Sequence, residues 1–105
     1  MSVQYLFDSQ GKWIAFRKDK YVFDTSGKWI GWMPWNDGYI VNTKGSYLGT
    51  IFPGNRFYEV AYIPYRGYPG YPGYPGYPGY PGYPGFAGFA PLPAGARDLQ
   101  DAEDG

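Results

Sequence analysis

The sequence predicts an all-β domain in which one β-hairpin is used several times. Three observations carry this. Tyr5–Phe16 reads Tyr-Leu-Phe-Asp-Ser-Gln-Gly-Lys-Trp-Ile-Ala-Phe, and Tyr21–Trp32 repeats it as Tyr-Val-Phe-Asp-Thr-Ser-Gly-Lys-Trp-Ile-Gly-Trp. A looser third copy, Tyr39–Thr50, keeps the pattern with Asn42 in place of the aspartate. No window shows a helical stripe, and short aromatic and β-branched runs alternate with turn residues.

In the first hairpin, Tyr5, Leu6 and Phe7, then Trp13, Ile14 and Phe16, favour extended backbone. Asp8-Ser9-Gln10-Gly11 lies between them. Asp8 can accept hydrogen bonds from turn amides, and Gly11 can take the left-handed conformation that closes the loop. The expectation is a type I turn followed by a glycine bulge. Asp24 and Gly27 repeat this chemistry in the second hairpin, and Asn42 and Gly45 in the third. Ala15, Gly31 and Gly49 share one place in the repeat. Two readings stand for that small residue: close approach of a neighbouring backbone, or a bend at the strand end. Pro34–Gly38 and Pro53–Asn55 read as linkers. Phe57–Ile63 is strand-like and lacks a turn glycine. It either closes by an altered turn near Glu59 or is one strand pairing with an earlier hairpin. Single hairpins are marginal in water, so the copies must bury their faces against one another.

Composition divides the chain into a hairpin domain at 1–66, a Gly/Tyr/Pro-rich tract at 67–90 and an acidic end at 91–105. The first part holds all four Trp, five of the seven Phe and seven of the thirteen Tyr. Each buried ring can remove about 150–250 Å² from water, which lets a short chain make a core. Its eight Lys/Arg against five Asp/Glu give +3, and Arg97 against four acids gives −3 beyond residue 66. That charge is too small to argue nucleic-acid binding. Contact between the acidic end and the basic domain would be weak and screened by salt.

From Tyr68 to Gly85, Tyr-Pro-Gly occurs six times, and glycine recurs at every third position from 67 to 88. That is the collagen period, but the run is very short and fills one slot of every triplet with Tyr. A disordered, partly extended or polyproline-like tail is expected, with loose Pro-Gly turns. Tyr68, Tyr71, Tyr74, Tyr77, Tyr80 and Tyr83 then form a row of weak, multivalent contacts for a protein partner or for self-association. A spacer without a partner is the alternative. The prolines recur every third residue as P-G-Y-P, the i, i+3 positions that share one side of a polyproline helix. Residues 91–105 are expected to fray, with at most a helical turn around Ala96–Ala102.

The chain has no Cys and no His, which removes disulfides, thiol chemistry and the commonest metal ligand. No catalytic residue, metal site or cofactor is indicated. Asp8 and Asp24 are turn residues on separate tips, not the close pair a glycosidase needs. Gly-Lys at 11–12 and 27–28 lacks the surroundings of a phosphate loop. The beginning of the chain does not read as a signal peptide, and no apolar run approaches the ~20 residues of a transmembrane helix, so a cytoplasmic location is the expectation. Ligand-contact candidates are aromatic: Trp32, Trp35 and Tyr39, with Trp35 in a linker and owing nothing to the repeat.

The units Phe7-Asp8…Gly11…Ile14-Ala15-Phe16, Phe23-Asp24…Gly27…Ile30-Gly31-Trp32 and Val41-Asn42…Gly45…Leu48-Gly49 resemble those of the bacterial four-fold β-flower domains. The resemblance covers residues 3–65 and leaves out the tail. It implies four hairpins in a flower-like, pseudo-four-fold arrangement, with Phe57–Ile63 supplying the fourth, and it implies no catalytic residues. The functional expectation is a small non-enzymatic module with a protein-interaction or scaffold role and a tyrosine-rich tail. The alternative is an aromatic platform for carbohydrate, proline-rich peptide or nucleotide, with the tail as spacer. The oligomeric state is left open, and a dimer would follow if 66 residues could not hide these rings alone.

Overall fold

The computed structural model describes residues 3–99. They form eight strands: β1 (Gln4–Phe7), β2 (Trp13–Lys18), β3 (Tyr21–Asp24), β4 (Trp29–Trp32), β5 (Tyr39–Asn42), β6 (Tyr47–Phe52), β7 (Arg56–Val60) and β8 (Ala96–Asp98). Neighbours in sequence pair antiparallel, and β1 meets β7 through Phe7 and Arg56, so the sheet closes on itself. The fold is therefore all-β, made of repeated hairpins in a barrel-like ring.

The three tips share one geometry. The side-chain oxygen of Asp8 accepts the amides of Gln10 and Lys12 at 3.0 and 2.9 Å. Asp24 accepts those of Ser26 and Lys28, both at 2.9 Å. Asn42 accepts those of Lys44 and Ser46 at 2.9 and 3.0 Å. In each tip the glycine amide donates back to the leading residue's carbonyl at 3.0–3.1 Å. Gly11, Gly27 and Gly45 have φ of 86–92°, which a side chain would strain. The extra residue beyond each turn appears as a bulge at Leu6/Phe7, Val22/Phe23 and Ile40/Val41.

The centre follows from the same repetition. Leu6, Val22, Ile40 and Phe57 hold matching places in β1, β3, β5 and β7, and each is fully buried in one cluster. Alternation on each strand sends the next ring elsewhere. Phe7, Trp13, Phe16 and Phe23 form a second cluster, and Trp32, Tyr39 and Val41 a third.

The small residue of the repeat owes its size to close approach, not to a bend. A Cβ on Gly31 would lie 2.3 Å from the Val41 carbonyl oxygen. On Gly49 it would meet the Phe57 ring at 2.8 Å and the Tyr58 carbonyl at 3.0 Å. Ala15 fits the equivalent place without exposure.

Of the two sequence readings of the fourth unit, the altered turn is absent, while the single strand pairing with an earlier hairpin is present, since β7 pairs with β6 and touches β1. There is no turn near Glu59, and Phe57–Ile63 does not supply the unit alone. Strand β7 pairs with β8, with Val60 opposite Ala96 and Tyr58 opposite Asp98. Residues 61–95 thus take the place of a tight turn. The helical turn expected around Ala96–Ala102 is replaced by strand at Ala96–Asp98, because β7 offers an open edge that only pairing satisfies. Residues 100–105 of that expectation lie outside the described residues. Asp98 then joins the fourth unit to the first: it accepts the Ser9 amide at 2.7 Å and the Ser9 hydroxyl at 2.6 Å. Arg56 donates to the Asp8 carbonyl at 2.7 Å across the same seam.

Gly31→Ala forces a backbone shift, and its stability to urea should fall by about 2 kcal/mol. Tyr58 is buried and its hydroxyl has no hydrogen-bond partner. Tyr58→Phe removes that unsatisfied group, so the same denaturation experiment should show a gain of about 1 kcal/mol.

Candidate functional site

Trp13 and Trp29 occupy equivalent places, and each indole is fixed by its polar edge. Trp13 Nε1 donates to the Ala15 carbonyl and Trp29 Nε1 to the Gly31 carbonyl, both at 2.7 Å. Tyr5 and Tyr21 flank these indoles edge-on at 5.8 and 6.0 Å. Each of the first two hairpins therefore presents an outer aromatic face with its ring geometry set from below.

Residues 61–95 run over these faces as a belt. They contain no helix or strand. Each glycine from 67 to 88 has φ of 80–95°, the value a type II turn needs after proline. Tyr71 and Tyr74 straddle Trp29, both at 5.8 Å between ring centroids. Tyr80 and Tyr83 straddle Trp13, both at 6.0 Å. The Tyr21 hydroxyl donates to the Pro72 carbonyl at 3.3 Å, and the Tyr5 hydroxyl to the Pro81 carbonyl at 2.8 Å. Lys18 donates to the Pro78 carbonyl between them at 3.3 Å. The belt also crosses the tips in reverse order. Tyr68 lies against Gly45 and Tyr77 against Gly27, and the Gly88 backbone lies against Gly11. Glycine at the tips thus serves both the turn and the approach of the belt.

The belt is clamped at both ends. At its start, the Arg66 guanidinium stacks over Trp35 at 4.4 Å and Tyr39 at 4.8 Å, and it pairs with Asp37 at 2.7 Å. At its end, Ala87 donates to the Gly11 carbonyl and Ala90 to the Ser9 carbonyl at 2.9 and 2.8 Å. Arg56 reaches the Gly88 carbonyl at 3.0 Å.

The ligand-contact candidates of the sequence sit at the first clamp. Trp32 and Tyr39 are each 7 % exposed, inside the third cluster. Trp35 is half-buried, edge-on to Tyr39 at 5.4 Å, with Arg66 on its ring. The six tyrosines of the tract keep more than half of their surface in solvent while touching the domain. Sequence reasoning missed the pairing of Trp13 and Trp29 with these tyrosines. A signal was present: two matched indoles, and six copies of Tyr-Pro-Gly, divisible into two equal sets.

Clefts border the belt along its length. One of about 700 Å³ lies among Ser26, Lys28, Trp29, Thr43, Tyr71, Tyr74 and Tyr77. Another of about 340 Å³ lies among Tyr39, Lys44, Tyr47, Ile63, Tyr65 and Tyr68. Among the described residues no group of three or more carboxylates gathers to hold a metal. Glu59 faces Arg97 at 3.2 Å on the surface. Among the described residues no helix is long and apolar enough to cross a membrane.

Burial is the largest single influence on the Asp37 carboxyl and raises it, but the Arg66 hydrogen bond, the Tyr39 amide and the Arg66 charge together outweigh it and hold the carboxyl below its ordinary value. A depressed carboxyl stabilises the clamp above its unfolded value, about pH 4, and the contribution is lost as pH falls through the folded value. Acid titration should therefore release Arg66 from Trp35 below about pH 4, read as a change in tryptophan emission that Arg66→Gln abolishes.

No curated protein and no solved structure matches the chain. A protein-family comparison matches residues 1–96, a span that runs past residue 65 and through the Tyr-Pro-Gly repeats to the start of β8. With four hairpin units around one centre and a match over nearly its whole length, the chain belongs to the 4-fold beta flower protein family.

Proposed function

We propose that the protein is a non-enzymatic interaction module whose working surface is the ring-bearing belt. One observation supports this above the others: Tyr68, Tyr71, Tyr74, Tyr77, Tyr80, Tyr83, Phe86 and Phe89 are 59–73 % exposed. Contiguous exposed aromatics on a folded domain mark interaction surfaces. Seating the belt on the hairpins lowers the ordering cost that a free tail would meet on binding. Regular spacing lets weak ring contacts add along the row. The protein partner this chemistry suits first is one that offers rings, prolines or guanidinium groups, and a second copy of the chain offers all three.

A second reading follows from the cleft of about 700 Å³ beside Trp29, which joins four aromatic rings to Lys28, Ser26 and Thr43. Ring faces beside hydroxyl and ammonium donors suit a sugar or another small polar ligand.

Sedimentation of the full chain across a concentration series tests the first reading. Self-association should weaken by roughly ten-fold or more when all six tract tyrosines are replaced by serine, because multivalent contacts are lost together. Equal association by both chains would remove it. Saturable quenching of tryptophan by a sugar panel, lost in Trp29→Ala, would favour the second.

A further inference from the structure

We propose that the outer faces of the first two hairpins are receptors for Tyr-Pro-Gly chain, that the two receptors stand nine residues of it apart, and that they take this segment from a second copy of the protein as well as from their own. This rests on the interaction-module reading and names its partner.

The two occupied faces make the same contacts nine residues apart. Tyr71, Pro72 and Tyr74 meet Trp29 and Tyr21. Tyr80, Pro81 and Tyr83 meet Trp13 and Tyr5. Each face selects three features at once. Two rings flank an indole whose N–H is held by its own strand. A phenol hydroxyl donates to a proline carbonyl. A glycine with positive φ, Gly73 or Gly82, brings the second ring back to the same indole. Serine for tyrosine loses the grip, and a side chain on the glycine strains the bend.

The third hairpin shows the contrast. Its equivalents of the indole and phenol are Tyr47 and Tyr39, packed on each other at 5.0 Å. Nine residues before Pro72 stands Ile63, which packs into the third cluster. Tyr62 and Tyr65, the counterparts of the straddling rings, are 96 and 85 % exposed. Where the indole is missing, the chain is not gripped.

Exchange follows from how the middle of the belt is held. Among the described residues, no backbone–backbone hydrogen bond ties residues 67–86 to the hairpins. The glycines from 70 to 85 have open space around them. Ring contacts and three side-chain hydrogen bonds hold this middle, while both ends stay clamped. It can lift without opening the sheet. The six units are identical, so a belt from another copy meets the same receptor. A chain's own belt competes at an effective concentration on the order of millimolar, so exchange between copies appears at comparable concentrations.

The test uses the full chain carrying Tyr71→Ser, Tyr74→Ser, Tyr80→Ser and Tyr83→Ser, which vacates both faces without touching the central cluster. Synthetic (Tyr-Pro-Gly)n peptides are titrated into it, following the Trp13 and Trp29 indole N–H resonances. Both resonances should shift, and eighteen residues should bind roughly a hundred-fold more tightly than nine, because one chain then engages two faces. (Ser-Pro-Gly)6 should leave them unchanged. The wild-type chain is a second acceptor, and it should bind the eighteen-residue peptide more weakly because its own belt must be displaced. Mixed with wild-type chain, the variant should form a mixed complex by sedimentation and none when alone. Equal binding of the serine peptide, or no binding by either acceptor, overturns the receptor assignment. Peptide binding without a mixed complex overturns the second-copy assignment. Wild-type self-association with no peptide binding overturns this inference while leaving the interaction-module reading in place.

Discussion

Everything distinctive in this structure depends on the pairing of β7 with β8. Without β8 the edge of β7 would be met only where Arg56 faces Phe7 of β1. The missing strand arrives after 35 residues, between Val60 and Ala96, and the Ser9–Asp98 hydrogen bonds then fasten it to the first hairpin. This pairing completes the fourth hairpin of a sheet that the β1–β7 contact closes, and it converts a tail into a loop with two fixed ends. Closure entropy grows slowly with loop length, each doubling adding only about 0.6 kcal/mol. A long connection in place of a tight turn is therefore tolerated once its far end has a strand to form.

The same constraint sets the path of the belt. It leaves the ring after β7 and must return beside the first hairpin. Crossing the third, second and first tips in turn is the route that keeps it against the domain. The tips offer glycine at each crossing, so the approach can be close. The walls offer indoles whose polar edges are already satisfied, so only ring faces and edges remain for contact. Aromatic pairs of this kind, edge-on at Trp29 and tilted at Trp13, contribute about 0.5–1.5 kcal/mol each beyond the area they bury. Four such contacts on two indoles outweigh the isolated hydrogen bonds from Tyr5, Tyr21 and Lys18 in holding the middle.

The hairpins were legible because their chemistry is local. Asp8, Asp24 and Asn42 act within four residues of themselves, and Gly11, Gly27 and Gly45 act through their own φ. Those signals survive without tertiary context. The need for a small residue at Ala15, Gly31 and Gly49 was visible, while its reason was not, since the Val41 carbonyl and the Phe57 ring belong to other units. Strand β8 was illegible for a related reason. Ala96-Arg97-Asp98 has no β-branched or aromatic residue and lies in an acidic, polar stretch, so local propensity argues against the strand that the open β7 edge imposes. Among the candidate site residues, Trp35 was singled out for standing outside the repeat. Trp13 and Trp29 stand inside the repeat and were not singled out; Trp13 is buried in the second cluster with Trp29 packed against it, and the outer side of each indole meets the belt.

Symmetry in the hairpins and periodicity in the belt are matched features. A ring of near-equivalent faces can be contacted by one continuous chain only if that chain repeats its contact residues at the spacing between faces. Here the spacing is nine, three copies of a three-residue unit. A shorter unit fixes where rings fall, and proline followed by glycine fixes the bend that brings two of them to one indole. The match ends where the hairpins diverge. At the third face Tyr47 stands for the indole and Ile63 for the proline, and the chain there uses an aliphatic side chain, an Arg66 clamp and the Asp37 carboxylate instead. The belt's composition therefore follows the face beneath it: repetitive over the two hairpins that repeat most closely, and irregular over the one that has drifted.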